Sequence, residues 1–201
     1  MSNTDLQAGH SGARVGMWLF ICTEILLFGG LFLLYSMYRY KHPQAFHAAS
    51  LELNRFDGTL NTAILISSSL TVALAIHFLR QDRRRQAMGF LALTLLAGAA
   101  FLVVKGFEWA EKFRHGLFPN SLVLLARDKG QILYFGLYFM MTGLHALHVL
   151  IGLGVLSAVL ILINRSRVTA GRPVLLENSG LYWHLVDIIW IFLFPLFYLI
   201  T

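Results

Sequence analysis

Cysteine, charge and the common catalytic motifs are all scarce in this sequence. Its one cysteine, Cys22, lies within an apolar stretch, which excludes both a disulfide within the chain and a thiolate-bound metal cluster. Asp, Glu, Lys and Arg make up only 13% of the 201 residues, whereas an ordinary soluble domain has roughly 25%. Phosphate-binding loops, nucleophile elbows and HExxH motifs are missing as well. These absences argue against an independent enzyme.

Hydrophobic residues are abundant instead, at 57% of the chain, and the mean hydropathy is +0.67. Charged residues gather in short segments between long uncharged stretches, which is the pattern of a protein that crosses a membrane several times. The formal net charge is +6. Because most of the basic residues flank apolar stretches, they are placed to meet anionic lipid, and we expect no nucleic-acid partner.

Five apolar stretches are long enough to cross a hydrocarbon core of about 30 Å, which takes about 20 helical residues. They cover residues 15–38, 60–79, 86–109, 130–163 and 179–200. We therefore predict an all-α fold, an integral membrane bundle of five transmembrane helices forming a single domain over residues 1–201. The fourth stretch would reach about 51 Å as a helix, so we expect it to project from the core, with Tyr134 and Tyr138 as interfacial anchors.

Arginines between the second and third stretches indicate the orientation. Arg80, Arg83, Arg84 and Arg85 crowd into this short loop, and such loops stay on the cytoplasmic side. We therefore predict a cytoplasmic N-terminus and a C-terminus on the periplasmic or outer side. Residues 1–13 lack the features of a signal peptide, so we expect the first helix to remain as an anchor.

Charged residues inside the predicted helices each need a partner or a role, because an isolated charge in mid-bilayer costs about 3 kcal/mol. Glu24 has two interpretations: a proton-linked carboxyl or contact with a partner subunit, and a neutral, hydrogen-bonded acid that fixes helix packing. Lys105 and Glu108 lie three residues apart and can pair on one helix face. They lie near the outer end of their helix, where snorkelling would lower the cost.

Histidines and tryptophans in the last two predicted helices form a second polar group. His148 and His184 could ligate haem if they faced each other across a cavity. We favour the alternative in which His145, His148 and His184 donate to carboxylates or carbonyls, with Asp187 orienting His184 or an interhelical partner. No metal site is predicted, because no acidic shell accompanies the histidines. The expected role of the tryptophans, Trp183 and Trp190, is packing either at the membrane interface or between helices.

Close helix packing is predicted from small residues. Glycine lets two helix backbones approach closely in a membrane. The glycines concerned are Gly29, Gly30, Gly136, Gly143, Gly152 and Gly154.

Two segments in the last two helices carry a family resemblance. Residues 142–152 read TGLHALHVLIG and residues 182–190 read YWHLVDIIW. They are similar, in the same order, to the TGxHxxHVxxG and YWHxVDxxW signatures of the cytochrome c oxidase subunit III family. The resemblance continues through GMWLF at 16–20, LNT at 60–62 and FEW at 107–109. The five predicted helices resemble the last five of the family's seven-helix members, so one arm of the family's lipid-filled cleft is missing.

The resemblance implies a subunit III of a haem-copper terminal oxidase, a cytochrome c or quinol oxidase of aerobic respiration, in the inner membrane of a bacterium. Such a subunit has no redox centre or catalytic residue and supports the assembly, stability and proton uptake of catalytic subunit I. Haem and copper belong to partner subunits, the further partners being subunit II and other small membrane subunits, and phospholipid is a candidate ligand. Glu24 matches a family acid. The residues at signature positions, structural or lipid-contacting, are Glu108, His145, His148, Trp183, His184, Asp187 and Trp190.

Three alternatives stay open at this point. The first is the related small subunit that accompanies nitric oxide reductase. A small proton-coupled transporter using Glu24 and Lys105 is the second, although the sequence has no inverted repeat or matched broken helices. The third is a membrane anchor that binds haem through its histidines.

Overall fold

Helices make up the structure of this chain almost entirely. The computed structural model describes the backbone of residues 3–171 and 173–199, with side chains from residue 15 onward. The helices are α1 (Asn3–Lys41), α2 (Pro43–Ser50), α3 (Arg55–Arg80), α4 (Arg84–Arg114), α5 (Leu122–Leu125), α6 (Lys129–Asn164) and α7 (Val174–Tyr198). Among the described residues, α1 (from Val15), α3, α4, α6 and α7 are long and apolar enough to cross a membrane. The predicted fold class is confirmed.

Polar caps extend the helices beyond the apolar stretches. The Asn54 side chain accepts a hydrogen bond from the Phe56 N–H at 3.0 Å, so α3 begins at Arg55, five residues before the predicted stretch. Asp128 caps α6 in the same way, accepting from the Gly130 N–H at 3.0 Å. Such capping satisfies N–H groups that have no partner within the helix. The predicted end of the fifth stretch, residue 200, lies outside the described residues.

Two helices end in the same tight turn on one side of the bundle. Asp82 follows α3 with φ at 59°, and Ser166 follows α6 with φ at 57°. The N–H groups of Arg83 and Arg167 then donate back to carbonyls in the last turns of these helices, both at 2.9 Å. This left-handed closure redirects the chain within a few residues. The α3–α4 and α6–α7 loops therefore both begin with a tight turn.

The most buried helix of the bundle is α7, which packs against α1, α3 and α6. α3 and α4 form a closely packed antiparallel hairpin, and α4 also packs on α6. α1 lies against α6 and α7 and keeps most of its surface exposed. The bundle thus has a dense centre around α7 and an open edge along α1.

The short helix α2 closes the bundle over a group of aromatic rings. Its Phe46 is fully buried, with its ring 5.4 Å from the ring of Tyr35 and 5.4 Å from that of Tyr134. Tyr134 and Tyr138 are themselves fully buried, and the Tyr134 hydroxyl donates to the Phe197 carbonyl at 2.7 Å. The prediction that these tyrosines are interfacial anchors is therefore wrong, because both face into the bundle.

Candidate functional site

Glu24 of α1 has a partner within the chain. Its Oε2 lies 3.0 Å from Nε2 of His148 on α6, with only 12% and 9% of the two side chains exposed. The Nδ1 atom of His148 donates to the Leu144 carbonyl at 2.7 Å. Glu24 thus joins the edge helix to the centre of the bundle.

The contact between Glu24 and His148 depends on which nitrogen of the ring carries hydrogen. Because a carbonyl oxygen only accepts, Nδ1 of His148 carries a hydrogen, and Nε2 in the neutral ring is then a lone-pair atom. The approach of Glu24 is poorly directed for a hydrogen bond, yet two lone pairs at 3.0 Å would repel each other. Glu24 and His148 are therefore in close polar contact, although the contact is not a well-formed hydrogen bond.

Lys105 and Glu108 form a second cluster with two tyrosines. The Lys105 ammonium donates to Glu108 Oε2 at 3.0 Å, to the Tyr138 hydroxyl at 2.9 Å and to the Tyr198 hydroxyl at 2.6 Å. Both tyrosine hydroxyls donate in turn to Glu108 Oε1, at 2.5 and 2.6 Å. Trp190 adds its ring face, with the ammonium 5.2 Å from the ring centroid. The cluster joins α4, α6 and α7.

This cluster is complete in its hydrogen bonding. A lysine ammonium has three donors, all used here, and both carboxylate oxygens of Glu108 accept. The predicted pairing of Lys105 with Glu108 is present. However, the side chains are only 3% and 0% exposed, so the expected snorkelling is wrong. The tyrosine hydroxyls complete the hydrogen bonding of the pair, and sequence spacing alone does not link them to it.

His145 lies in the same region without a hydrogen-bonding partner. It is fully buried, and neither ring nitrogen has a polar partner. Its ring packs between Phe101 and Trp190, at centroid distances of 5.5 and 5.2 Å. The expectation that His145 donates to a carboxylate or carbonyl is therefore wrong, and its contacts are those of an aromatic core residue.

Hydroxyl groups of α3 receive the polar atoms of α7. His184 Nδ1 lies 2.6 Å from the Ser69 hydroxyl, and Trp183 Nε1 donates to the Ser68 hydroxyl at 2.9 Å. Asp187 lies beside Ser69, although neither carboxylate oxygen has a well-directed hydrogen bond. Asp187 does not orient His184 directly, contrary to one prediction. Ser69 of α3 contacts His184 and lies beside Asp187. The run of serines at 67–69 was the available signal for this contact.

Trp190 makes the equivalent contact with α3, seven residues further along α7. Its Nε1 donates to the Thr62 hydroxyl at 3.0 Å, and its ring meets that of Phe101 at 4.9 Å. Trp183 and Trp190 therefore pack between helices, one of the two roles expected for them, and each fixes α7 against α3.

The haem-anchor alternative finds no geometric support in these contacts. His148 faces Glu24 on α1, whereas His184 contacts Ser69 on α3. Within the described part of the chain, His, Cys, Asp and Glu form no group of three or more that could hold a metal ion. The two histidines therefore contact different helices and do not face each other.

Close packing at glycine is confined to a few positions. A Cβ at Gly152 would lie 2.9 Å from two ring atoms of Trp183, and one at Gly98 of α4 would lie 2.6 Å from the same ring. Trp183 is thus held between α4 and α6. Of the predicted glycines, Gly143 makes only an ordinary contact, with Trp109 at 3.5 Å. A Cβ added at Gly29, Gly30, Gly136 or Gly154 would meet no atom of a neighbouring helix within 4 Å, so the predicted close packing within the chain is absent at these four positions.

An apolar groove runs between α1 and α7. It has a volume of about 420 Å³. It is lined by Trp18, Ile21, Ile25, Phe28, Gly29, Phe32, Leu181, His184, Leu185, Ile188, Ile189 and Phe192. The ring of Phe28 also lies 5.4 Å from that of His148. The groove therefore borders the Glu24–His148 pair.

These features define an integral membrane protein of five spanning helices, with three acids and three histidines inside the bundle: Glu24, Glu108, Asp187, His145, His148 and His184. The family model for cytochrome c oxidase subunit III matches residues 2–201. The chain belongs to the cytochrome c oxidase subunit III family, as the two motifs predicted, and its role is that of a haem-copper oxidase subunit III.

Relatives in this family carry three kinds of name. A cytochrome c oxidase subunit 3 from Thermostichus vulcanus is 34% identical over 197 residues, covering 96% of this chain and 90% of the relative. A probable quinol oxidase subunit 3 from Staphylococcus aureus is 29% identical over 204 residues, covering 99% and 95%. A heme-copper oxidase subunit I+III from Aeropyrum pernix is 32% identical over 194 residues, 93% of this chain. The chain spans only 22% of that last protein.

Proposed function

We propose that this subunit III has no redox centre or active site of its own and supports the assembly, stability and proton uptake of a catalytic subunit I that holds haem and copper. The complex reduces oxygen with electrons from cytochrome c or quinol. It lies in the inner membrane of a bacterium, with the N-terminus of this chain on the cytoplasmic side and its five spans forming one domain. The observation that carries the proposal is the family match over residues 2–201.

Histidine contacts support the absence of haem from this chain. Axial ligation needs an imidazole nitrogen that faces the iron. Both ring nitrogens of His148 face groups of this chain, the Leu144 carbonyl and Glu24, and Nδ1 of His184 lies 2.6 Å from the Ser69 hydroxyl. Their role is to hold α6 and α7 in place.

Subunit I is the proposed main partner. The relative from Aeropyrum pernix is named as a subunit I+III, so the two subunits are joined in that chain. A fusion of this kind keeps its two parts at high effective concentration, which suits parts that pack together. Subunit II and other small membrane subunits complete the proposed set of partners.

Phospholipid is the proposed ligand of the α1–α7 groove. Its walls are almost wholly apolar, which suits an acyl chain rather than a polar substrate. Glu24 and His148 lie behind one of its walls, near Phe28. An acyl chain in the groove would keep water from this pair.

Glu24 is the proposed proton-linked residue, and infrared spectroscopy offers a direct test. In the assembled oxidase, we expect a perturbed carboxyl signal in the infrared difference spectrum between oxidised and reduced states. Glu24→Gln should remove this signal while leaving the haem spectrum unchanged. Asp57→Asn, an acid in a different helix, is the control and should keep it. A signal that survives Glu24→Gln belongs to another acid and contradicts the assignment.

Copurification tests the function as a whole. The tagged chain would be expressed at native level, extracted gently, and analysed for subunit composition and the reduced-minus-oxidised spectrum. We expect haem, copper and oxygen reduction to accompany it, and the haems to stay with subunit I after this chain is removed. A nitric oxide reductase as the copurifying enzyme, a chain that emerges alone, or haem that follows the isolated chain would each overturn the proposal.

A further inference from the structure

Six arginines gather on the side of the bundle where α3 and α6 end. They are Arg80, Arg83, Arg84, Arg85, Arg165 and Arg167. The acids of the same loops and adjoining turns are Asp82 and Glu177. Among the described residues of these segments, six positive and two negative side chains leave a net charge of +4. Arg80 pairs with Glu177 at 2.7 Å, which leaves the excess on the other five arginines.

Arg84 ties the two loops into one surface. Its Nη1 donates to the Ser166 hydroxyl at 2.6 Å, and its Nη2 donates to the Asn164 carbonyl. The left-handed turns at Asp82 and Ser166 fix the path of each loop. The basic side chains of the α6–α7 loop are thereby held beside those of the α3–α4 loop, although they are about 80 residues apart in sequence.

An open pocket of about 500 Å³ lies at the start of α4, lined by residues 82–86. No side chain caps this helix, and its first turn contains no acid. The first N–H groups of a helix favour an anion, so the pocket adds a positive helix end to the arginines. Nε of Arg84 is buried there without a hydrogen-bonding partner. Arg83 and Arg85 are exposed and form no ion pair within the described part of the chain.

We propose that this surface, formed by residues 82–86 with Arg165 and Arg167, binds the phosphate headgroup of an anionic phospholipid from the adjacent leaflet. The surface lies where the spanning helices α3, α4 and α6 leave the apolar layer, at the depth of lipid headgroups. Guanidinium groups bind phosphate through two parallel hydrogen bonds, which suits arginine better than lysine. The inference does not depend on the electron donor or on the redox role of the complex.

The test uses the assembled complex in nanodiscs of phosphatidylcholine with or without phosphatidylglycerol, and native mass spectrometry counts the lipids retained. We expect the Arg83→Gln/Arg85→Gln variant to retain roughly 25-fold less phosphatidylglycerol, since each of the two basic residues near an anionic surface contributes about a fivefold factor. The matched control is Arg55→Gln/Arg114→Gln, which removes the same charge from the opposite ends of the same two helices. It should leave retention unchanged.

Two further variants separate lipid binding from insertion. Arg83→Lys/Arg85→Lys keeps the charge that orients the helices, and it should retain an intermediate amount of lipid because the bidentate geometry is lost. If the glutamine variant fails to assemble, Arg165→Gln/Arg167→Gln removes charge from the second loop and should lower retention in the same direction. Equal retention of the two lipids by the wild type, equal losses in the control, or complete displacement by inorganic phosphate would overturn the proposal.

Discussion

Lys105 is a cation held inside an apolar bundle, with all three of its hydrogen-bond acceptors supplied by the protein. Burying an ammonium group costs several kcal/mol unless its donors are satisfied. Here a carboxylate and two phenols satisfy all three donors, at 2.6 to 3.0 Å. The phenols also bind the carboxylate, so removal of either charge leaves the other one uncompensated. The cluster therefore behaves as a unit.

Removal of the ammonium alone should be costly. We expect Lys105→Met to destabilise the chain by about 3–5 kcal/mol, because Glu108 is then a buried, unpaired carboxylate. Unfolding of the purified chain in detergent, followed by circular dichroism, measures this change. The double variant Lys105→Met/Glu108→Gln keeps an acceptor for the tyrosines and no charge, so it should lose clearly less. If the double variant is instead destabilised by the sum of the losses in Lys105→Met and Glu108→Gln, the two residues are not coupled.

At the scale of the element, α7 is fixed along its whole length by its neighbours. Trp183 and Trp190 donate to hydroxyls of α3. At its C-terminal end the hydroxyls of Tyr35 and Tyr134 donate to the Leu196 and Phe197 carbonyls. Carbonyls in the last turn of a helix have no partner within the helix, and in lipid they would be costly. Tyr35 of α1 and Tyr134 of α6 thus cap the C-terminal end of α7.

Glycine at position 152 sets the distance between α6 and α7. Gly152→Ala places a methyl group 2.9 Å from two Trp183 ring atoms, and such overpacking costs about 1–3 kcal/mol. The matched control is Gly154→Ala on the same helix, where no atom lies within 4 Å. It should be neutral or stabilising by up to about 1 kcal/mol, because alanine favours a helix. Thermal unfolding and the yield of assembled complex measure both, and equal destabilisation by the two variants would argue against this contact.

At the scale of the whole molecule, the bundle is asymmetric. α7 lies at the centre, the α3–α4 hairpin and α6 surround it, and α1 stands at the edge beside an apolar groove. The arginine-rich turns lie together at one end. This distribution of charge gives the molecule a direction in the membrane.

Chemical labelling tests that direction. In a Cys22→Ala background, Gln81→Cys marks the arginine-rich end and His115→Cys marks the opposite end of α4, and both positions are exposed. With an N-terminus inside, a membrane-impermeant maleimide added to intact cells should label the cysteine at 115 and spare the one at 81. Permeabilised cells should label both equally. The reverse pattern in intact cells would show that the bundle is inverted.

The number of spanning helices and the family could be predicted from the sequence alone. Long apolar runs determine the spans because each depends only on neighbouring residues and on the thickness of the bilayer. The caps at Asn54 and Asp128 also depend only on neighbouring residues. The predicted stretches missed them because hydropathy marks the apolar residues of a helix and not its polar first turn. Pairing of Lys105 with Glu108 was predictable because three residues separate them on one helix.

The tertiary structure alone decided which distant groups meet. Tyr198 reaches Lys105 across 93 positions, and Ser69 reaches His184 across 115. These contacts depend on how each helix is rotated about its axis and which neighbour it faces. The rotation and the neighbour of each helix are set by the packing of whole helix faces, such as Trp183 against Gly152. The spacing of residues along the sequence does not determine them.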